Sequence, residues 1–67
     1  MIEKGLKFKS KWFEGIVEVD LVNEEDNDLE VYITTPSGSR WPEHWNLQHT
    51  RTGFNQGDYF RDKECDD

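Results

Sequence analysis

The acidic segment from Asn23 to Asp28, Asn-Glu-Glu-Asp-Asn-Asp, holds the residue types best suited to chemistry in this chain. Clustered carboxylates can bind a divalent cation, act as an acid and base pair, or attract a basic partner. The segment lacks the glycine and the frame of about twelve residues that an EF-hand calcium loop requires. Acid–base catalysis needs carboxylates in different environments within a pocket, for which a 67-residue chain has little room. The segment therefore predicts a charged surface with weak, nonspecific cation binding at most.

The two histidines and the single cysteine do not form a recognisable metal site or nucleophile. His44 and His49 are five residues apart, whereas ligands on one helix face are three or four apart. Cys65 lies in the acidic tail, where neighbouring carboxylates disfavour the reactive thiolate. The sequence therefore predicts no catalytic residue, no metal and no cofactor, and we do not expect an enzyme. The lone cysteine and the lack of a long apolar run predict a cytoplasmic protein without a membrane span.

Alternating apolar and polar residues predict three strands around the acidic segment. Leu6, Phe8 and Trp12 share one face of a predicted first strand, and the lysines between them share the other. Two more strands in the stretch 15–35 flank the acidic segment, and each has three apolar residues on one side. These residues are Val17, Val19 and Leu21 in the first of the two strands, and Leu29, Val31 and Ile33 in the second.

The register of this predicted hairpin follows from facing its apolar sides and separating like charges. A pairing of Leu21 with Leu29 would set Asp20 directly opposite Glu30, which is unfavourable. A pairing of Leu21 with Val31 avoids that contact, keeps both apolar sides on one face and leaves the acidic segment as the loop. We therefore expect the second pairing.

The second half of the chain predicts a turn, a short strand, a helical segment and a last strand. Pro36 and Gly38 suit a turn, after which residues 39–41 return as a fourth strand. Pro42 ends the ladder pairing and begins a short helix or 3₁₀ segment that extends to His49. Residues 58–60 form a last strand that closes the sheet. We expect one domain over residues 1–60 and a disordered acidic tail over residues 61–67.

This order of elements resembles the small SH3-like β-barrels, including the Tudor-type and KOW-type modules. The resemblance rests on Gly5-Leu6-Lys7-Phe8, on Trp12-Phe13-Glu14-Gly15-Ile16-Val17 and on the helical turn before the last strand. It implies a mostly β fold, either a small five-stranded SH3-like barrel or a curled antiparallel sheet with one short helical turn. In such families, aromatic residues on the loops often form the binding surface, and here these would be Tyr32, Trp41 and Trp45.

The charge distribution points to a protein partner. The net charge is −7, and a nucleic-acid binder normally presents a basic face, so direct nucleic-acid binding is not expected. In size and charge the chain is similar to phage-encoded inhibitors of host nucleic-acid enzymes, anti-CRISPR proteins among them. The main hypothesis is a non-catalytic inhibitor or accessory protein that engages a basic surface of a nucleic-acid enzyme or its complex.

Two alternatives stay open beside this hypothesis. One is an SH3-like module that binds a peptide or another subunit through its aromatic residues, and the other is a structural accessory subunit of a larger assembly. The acids could also serve solubility alone, and the tryptophans could plug the open end of a barrel. The candidate partner-binding residues are Glu18, Asp20, Glu24, Glu25, Asp26, Asp28, Glu30, Tyr32, Trp41 and Trp45.

Overall fold

The computed structural model describes residues 2–61, which form five strands and one helix. In chain order these are β1 (Lys7–Ser10), β2 (Phe13–Asn23), β3 (Asp28–Thr34), β4 (Arg40–Asn46), α1 (Leu47–Gln56) and β5 (Tyr59–Phe60). The predicted order of four strands, a helical segment and a short last strand is confirmed. The predicted disordered tail lies, apart from Arg61, outside the described residues.

All five strands belong to one antiparallel sheet with the order β4-β3-β2-β1-β5. β5 returns after the helix to pair with β1, so that Phe60 lies opposite Lys9. Within residues 2–61, β4 and β5 remain the two edges of the sheet, and the sheet is not closed. The mostly β fold class is therefore confirmed in its form as a small curled antiparallel sheet with one short helix, and the predicted closure by the last strand is wrong.

The inner face of the sheet and one side of α1 enclose the core. The buried apolar residues are Ile2, Leu6, Phe8, Val17, Val19, Leu29, Val31, Ile33 and Leu47. The centroid of the fully buried Phe8 ring lies 4.8 Å from that of Phe54, 5.5 Å from that of Tyr59 and 6.0 Å from that of Trp45. Edge-to-face ring pairs of this kind stabilise a core by about 0.5–1.5 kcal/mol each beyond their burial. This aromatic cluster joins the sheet to the helix.

The predicted register of the β2–β3 hairpin is wrong. From Ile16 to Val19 the strands follow the rejected pairing of Leu21 with Leu29, so that Val17 lies opposite Ile33, and a β-bulge at Asp20 then shifts the pairing by one residue. Val19 lies opposite Val31, and beyond the bulge Leu21 lies opposite Glu30. The extra residue takes Asp20 out of the ladder, so Asp20 has no direct partner on β3. The insertion also reverses the alternation of side chains, which places Leu21 on the outer face with 48 % of its surface exposed.

β1 ends at Ser10, so the predicted continuation of this strand to Trp12 is wrong. Lys11 and Trp12 form the turn into β2, and Trp12 is 61 % exposed instead of buried beside Phe8. Two hydrogen bonds fix this turn. The backbone N–H of Lys11 donates to the carbonyl oxygen of Asp58 at 3.0 Å, and that of Trp12 donates to Oγ of Ser10 at 3.1 Å. The chain therefore leaves the ladder before Trp12 can face the core.

The predicted helical segment from Pro42 to His49 is wrong in its first half. Arg40–Asn46 is a strand paired with β3, and α1 begins only at Leu47. Pro42 is tolerated because β4 is an edge strand, where a residue without an N–H can turn that side of its backbone to solvent. Trp41 and Trp45 therefore share one face of a strand and not one face of a helix.

The loop of the β2–β3 hairpin fastens the N-terminus of α1. Asn27 has a left-handed φ of 53°; its carbonyl oxygen accepts the N–H of Leu47 at 3.0 Å, and its Oδ1 accepts the N–H of Gln48 at 2.8 Å. Oδ1 of Asn46 accepts the N–H of His49 at 2.8 Å. Helix N-termini leave such donors without intrahelical partners, so these contacts dock the helix onto the hairpin.

The C-terminus of α1 is fixed by Gly57 and Tyr59. Gly57 has a φ of 84° and donates its N–H to carbonyl oxygens of the last turn, which ends the helix in a left-handed cap. The Tyr59 ring packs directly on Gly53, where a Cβ atom would overlap it. These two ends hold α1 over the half of the inner face that contains Phe8.

Replacing Asn27 by Ala is expected to lower the free energy of unfolding by about 1–3 kcal/mol, because it removes the Oδ1 bond and leaves a Cβ-bearing residue in a left-handed conformation. Asn27→Gly removes the same bond but relieves the backbone strain, so it should cost about 1 kcal/mol less. Urea unfolding followed by tryptophan fluorescence measures both values. Asn55→Ala, at an exposed position of α1, is the control and should change stability by less than about 0.5 kcal/mol. Equal losses in the Ala and Gly variants would contradict the strain at Asn27.

Candidate functional site

Several of the acidic residues predicted to bind a partner already contact basic residues of the chain. Oε1 of Glu18 lies 3.2 Å from Nη2 of Arg40, and Oε2 of Glu24 lies 2.8 Å from Nη2 of Arg51. Both pairs are partly open to solvent, where ion pairs contribute little to stability. They nevertheless offset part of the negative field of the hairpin, so the acids differ in how available they are to a partner.

The hairpin loop holds its carboxylates in a fixed turn. Oδ1 of Asn23 accepts the backbone N–H of Asp26 at 3.1 Å, and Nδ2 of Asn23 donates to Oδ2 of Asp26 at 3.1 Å. Glu25 lies exposed on this turn, Asp20 lies exposed at the bulge, and Glu30 is half-buried on β3. The structure therefore brings the predicted acids to one end of the β2–β3 hairpin and its outer face.

The three aromatic residues predicted to bind a partner lie in three different environments. Tyr32 is half-buried on the outer face, with the guanidinium carbon of Arg40 4.4 Å from its ring centroid. Trp45 is half-buried and stacks on Tyr59 with 5.6 Å between ring centroids, so it packs with the core. Trp41 is 39 % exposed at the other end of β4. Of the three, Trp41 is the most exposed.

A pocket of about 270 Å³ lies at the end of the inner face that α1 does not cover. We call it the open-end pocket, and its lining residues are Phe13, Glu14, Ile33, Thr35, Trp41 and Glu43. The exposed rings of Phe13 and Trp41 border it, and the buried Ile33 lies between them on the sheet. Both charged residues of its lining are acidic. The pocket therefore combines aromatic surface with negative charge.

Glu43 is held between two tryptophans in this pocket. Its Oε2 accepts the indole N–H of Trp41 at 2.7 Å, and its Oε1 accepts the indole N–H of Trp45 at 2.8 Å. The hydrogen bond from Trp45, followed by that from Trp41, lowers the pKa of Glu43, and slight burial opposes them. The carboxylate is therefore ionised at neutral pH, and its two oxygens are fixed in orientation.

The sequence reasoning missed Phe13, Glu14 and Glu43 as candidate site residues. It placed Glu43 on a helix because Pro42 argued against a strand. On a strand, alternate residues share a face, so the pattern Trp-x-Glu-x-Trp sets a carboxylate between two indoles. That alternation was the signal that could have found the pocket.

A wider groove of about 670 Å³ adjoins the open-end pocket and shares Phe13, Glu14 and Thr35 with it. The exposed rings of Trp12 and Phe60 border this groove. Nζ of Lys11, also in the lining, lies 2.7 Å from Oδ1 of Asp58 and 5.4 Å from the Trp12 ring centroid. The exposed aromatic rings of the described residues are thus gathered around two neighbouring concavities.

In the part of the chain that the structure describes, no group of three or more His, Cys, Asp or Glu residues is placed to hold a metal ion. No helix among residues 2–61 is long and apolar enough to cross a bilayer. Comparison of the chain with protein-family models, with curated proteins and with solved structures found no match.

His44 contacts Asp28 across β3 and β4, with 2.9 Å between Nδ1 and Oδ2. The hydrogen bond with Asp28 and then the charge of Asp28 raise the pKa of His44, and the charge of Glu30 adds to the effect. Because the folded pKa is raised, the stabilisation from this contact is fully present below the ordinary histidine pKa of about 6.5. It is lost as the pH rises through the raised pKa of His44.

Asp28→Asn is therefore expected to lower the His44 pKa toward its ordinary value, because the charged partner is removed. The chemical shift of the His44 imidazole C2 proton, followed against pH, measures this change. Glu25→Gln is the matched control, since it removes a neighbouring loop carboxylate that takes no part in the contact with His44. An unchanged His44 pKa in Asp28→Asn would show that the contact does not form in solution.

Proposed function

We propose that the chain is a non-catalytic binding protein that docks its acidic hairpin on a basic surface of a partner protein. The observation that carries this proposal is the ordered loop between β2 and β3, in which Glu25 and Asp26 are exposed on a turn fixed by Asn23 and Asn27. A loop that is already ordered loses little conformational entropy on binding. The net charge of −7 would in addition steer the chain toward a basic surface.

The proposed partner is a nucleic-acid enzyme or its complex, because grooves that bind nucleic acid are lined with Lys and Arg. Hairpin carboxylates would occupy such a groove in place of phosphates. The chain would then act in the cytoplasm as an inhibitor or accessory protein of the phage or mobile-element type. Direct binding of nucleic acid forms no part of the proposal, since the hairpin would repel phosphates.

Asp20 and Glu25 are the most informative acids for a test of this proposal. Both are exposed, and within residues 2–61 neither takes part in a side-chain hydrogen bond or an ion pair. Glu24, by contrast, pairs with Arg51, and Asp26 belongs to the turn, so replacing either would also disturb the fold. Reversing Asp20 and Glu25 therefore changes the charge of the hairpin and leaves its contacts in place.

The variant Asp20→Lys/Glu25→Lys is expected to bind the basic partner about tenfold or more weakly at low salt, since the reversed charges repel it. The wild-type chain is immobilised, and the proteins that it captures are identified by mass spectrometry. Each captured protein is then purified, and its dissociation constant from the chain is measured as a function of salt concentration. We expect the main captured protein to be basic and its affinity to fall steeply with salt. A neutral or acidic protein whose binding ignores salt would contradict the proposal.

The matched control is Glu3→Lys/Thr52→Lys/Gln56→Lys, which makes the same change in net charge at exposed positions outside the hairpin. It should retain most of the wild-type affinity. Equal binding by wild type and the hairpin variant would overturn the role of the hairpin. Equal weakening in the hairpin variant and the control would overturn it as well, because net charge alone would then explain the binding.

A second candidate function is recognition of a peptide or another subunit through the exposed aromatic rings. The groove bordered by Trp12, Phe13 and Phe60 favours it, since exposed rings beside a concavity are typical of interface anchors. Binding would then survive the hairpin reversal and fail in Trp12→Ala. Trp45→Ala would not discriminate, because Trp45 is half-buried and packs on the buried Phe8 as well as on Tyr59, so its loss would weaken the core.

A further inference from the structure

We propose that the open-end pocket binds the side chain of an arginine that the partner inserts between Phe13 and Trp41. The arginine would belong to the basic partner, so this proposal rests on the proposed function and adds the residue that the partner contributes. The charges of the lining favour a cation, since Glu14 and Glu43 are acidic and the lining contains no Lys, Arg or His. The pocket is about 270 Å³, slightly below the usual range of small-molecule sites of about 300–1,000 Å³, and this suits a single side chain.

The aromatic walls favour arginine over lysine. A guanidinium is planar, stacks on aromatic faces and forks onto a carboxylate, whereas an ammonium is a compact and more strongly hydrated point charge. Cations over an indole ring are among the best cation–π pairs. In the open-end pocket an indole, a phenyl ring and two carboxylates converge on one small volume.

The chain already shows this combination of groups on its outer face. The guanidinium of Arg40 lies 4.4 Å from the Tyr32 ring centroid, and its Nη2 lies 3.2 Å from Oε1 of Glu18. A ring, a guanidinium and a carboxylate are thus brought together within one molecule. The open-end pocket offers the rings and the carboxylates in the same way, and the partner would supply the guanidinium.

Glu43 is fixed before any ligand arrives. Each of its oxygens accepts one indole N–H, and an ionised carboxylate has about four acceptor sites, so acceptor capacity remains on both oxygens. A guanidinium that enters the pocket would therefore meet an acceptor already held in place, and little side-chain freedom would be lost. The adjoining groove beyond Phe13 gives room for the residues that flank the arginine.

The probes for a test are N-acetyl-arginine amide and its uncharged analogue N-acetyl-citrulline amide, titrated into the ¹⁵N-labelled chain. The arginine derivative is expected to shift the indole Hε1 resonances of Trp41 and Trp45, whose N–H groups bind Glu43, and to leave that of Trp12 in place. Citrulline amide should produce at most about one fifth of that shift, since it lacks the charge. Equal shifts from both probes, or a shift confined to Trp12, would overturn the proposal.

Glu43→Gln is expected to weaken binding of the arginine derivative about fivefold or more, because it removes the charge and one of the two indole acceptors. Glu25→Gln, which removes an equal charge from the hairpin loop, should leave the dissociation constant unchanged. Amide spectra verify that both variants are folded. If Glu43→Gln is unfolded, Glu14→Gln takes its place, since it removes the charge of the other carboxylate in the lining and leaves both indole hydrogen bonds in place. If the folded variant binds N-acetyl-arginine amide with wild-type affinity, the proposal that the open-end pocket binds arginine is wrong.

The hairpin variant Asp20→Lys/Glu25→Lys separates this proposal from the proposed function. Neither residue lines the open-end pocket, so the variant should bind N-acetyl-arginine amide as the wild type does, even where it loses the basic partner. If this variant loses the arginine-dependent shifts, the shifts reflect the overall charge of the chain and not binding in the pocket. That result would overturn the proposal that the pocket binds arginine. Arginine binding that fails in wild type, while partner capture persists, would overturn the pocket and leave the proposed function standing.

Discussion

The architecture depends on one constraint. Within residues 2–61, one helix of ten residues, α1, has to cover the inner face of a five-stranded sheet. The hairpin residue Asn27 holds the N-terminus of α1, and the Tyr59 ring packs on Gly53 near its C-terminus. No residue of α1 lines the open-end pocket. The helix therefore completes the aromatic core around Phe8 and leaves the opposite end of the inner face open.

β4 is the strand that crosses from the covered half to the open half. Trp45 packs with Tyr59 in the aromatic core, while Trp41 borders the open-end pocket. Glu43 lies between the two tryptophans and accepts a hydrogen bond from each indole. Hydrogen bonding thus links a core tryptophan to an exposed one through a charged carboxylate. The loop acids lie at the other end of the β2–β3 hairpin. The core and the attachments of α1 hold both surfaces that are proposed to contact a partner, the acidic hairpin and the open-end pocket.

Much of the fold could be predicted from alternation, because a strand with one buried face has a period of two residues. This held for Leu29, Val31 and Ile33, and for Val17 and Val19 up to the bulge. It failed at Leu21, since the bulge at Asp20 moves the inward-facing position from Leu21 to Val22. It failed again at Pro42, because the sequence does not show that β4 is an edge strand. The acids around the hairpin were found from composition, whereas the open-end pocket needed the pairing of β4 with β3.

The central claim is that Glu43 joins Trp41 and Trp45 at the boundary between the covered and the open halves of the sheet. The most direct test follows the three indole Hε1 resonances of the wild-type chain while the pH is lowered from neutral. We predict that the resonances of Trp41 and Trp45 move together as Glu43 takes up a proton, with one midpoint below the ordinary pKa of glutamate, and that the Trp12 resonance does not follow them. Different midpoints for Trp41 and Trp45, or a Trp12 resonance that titrates with them, would contradict the claim.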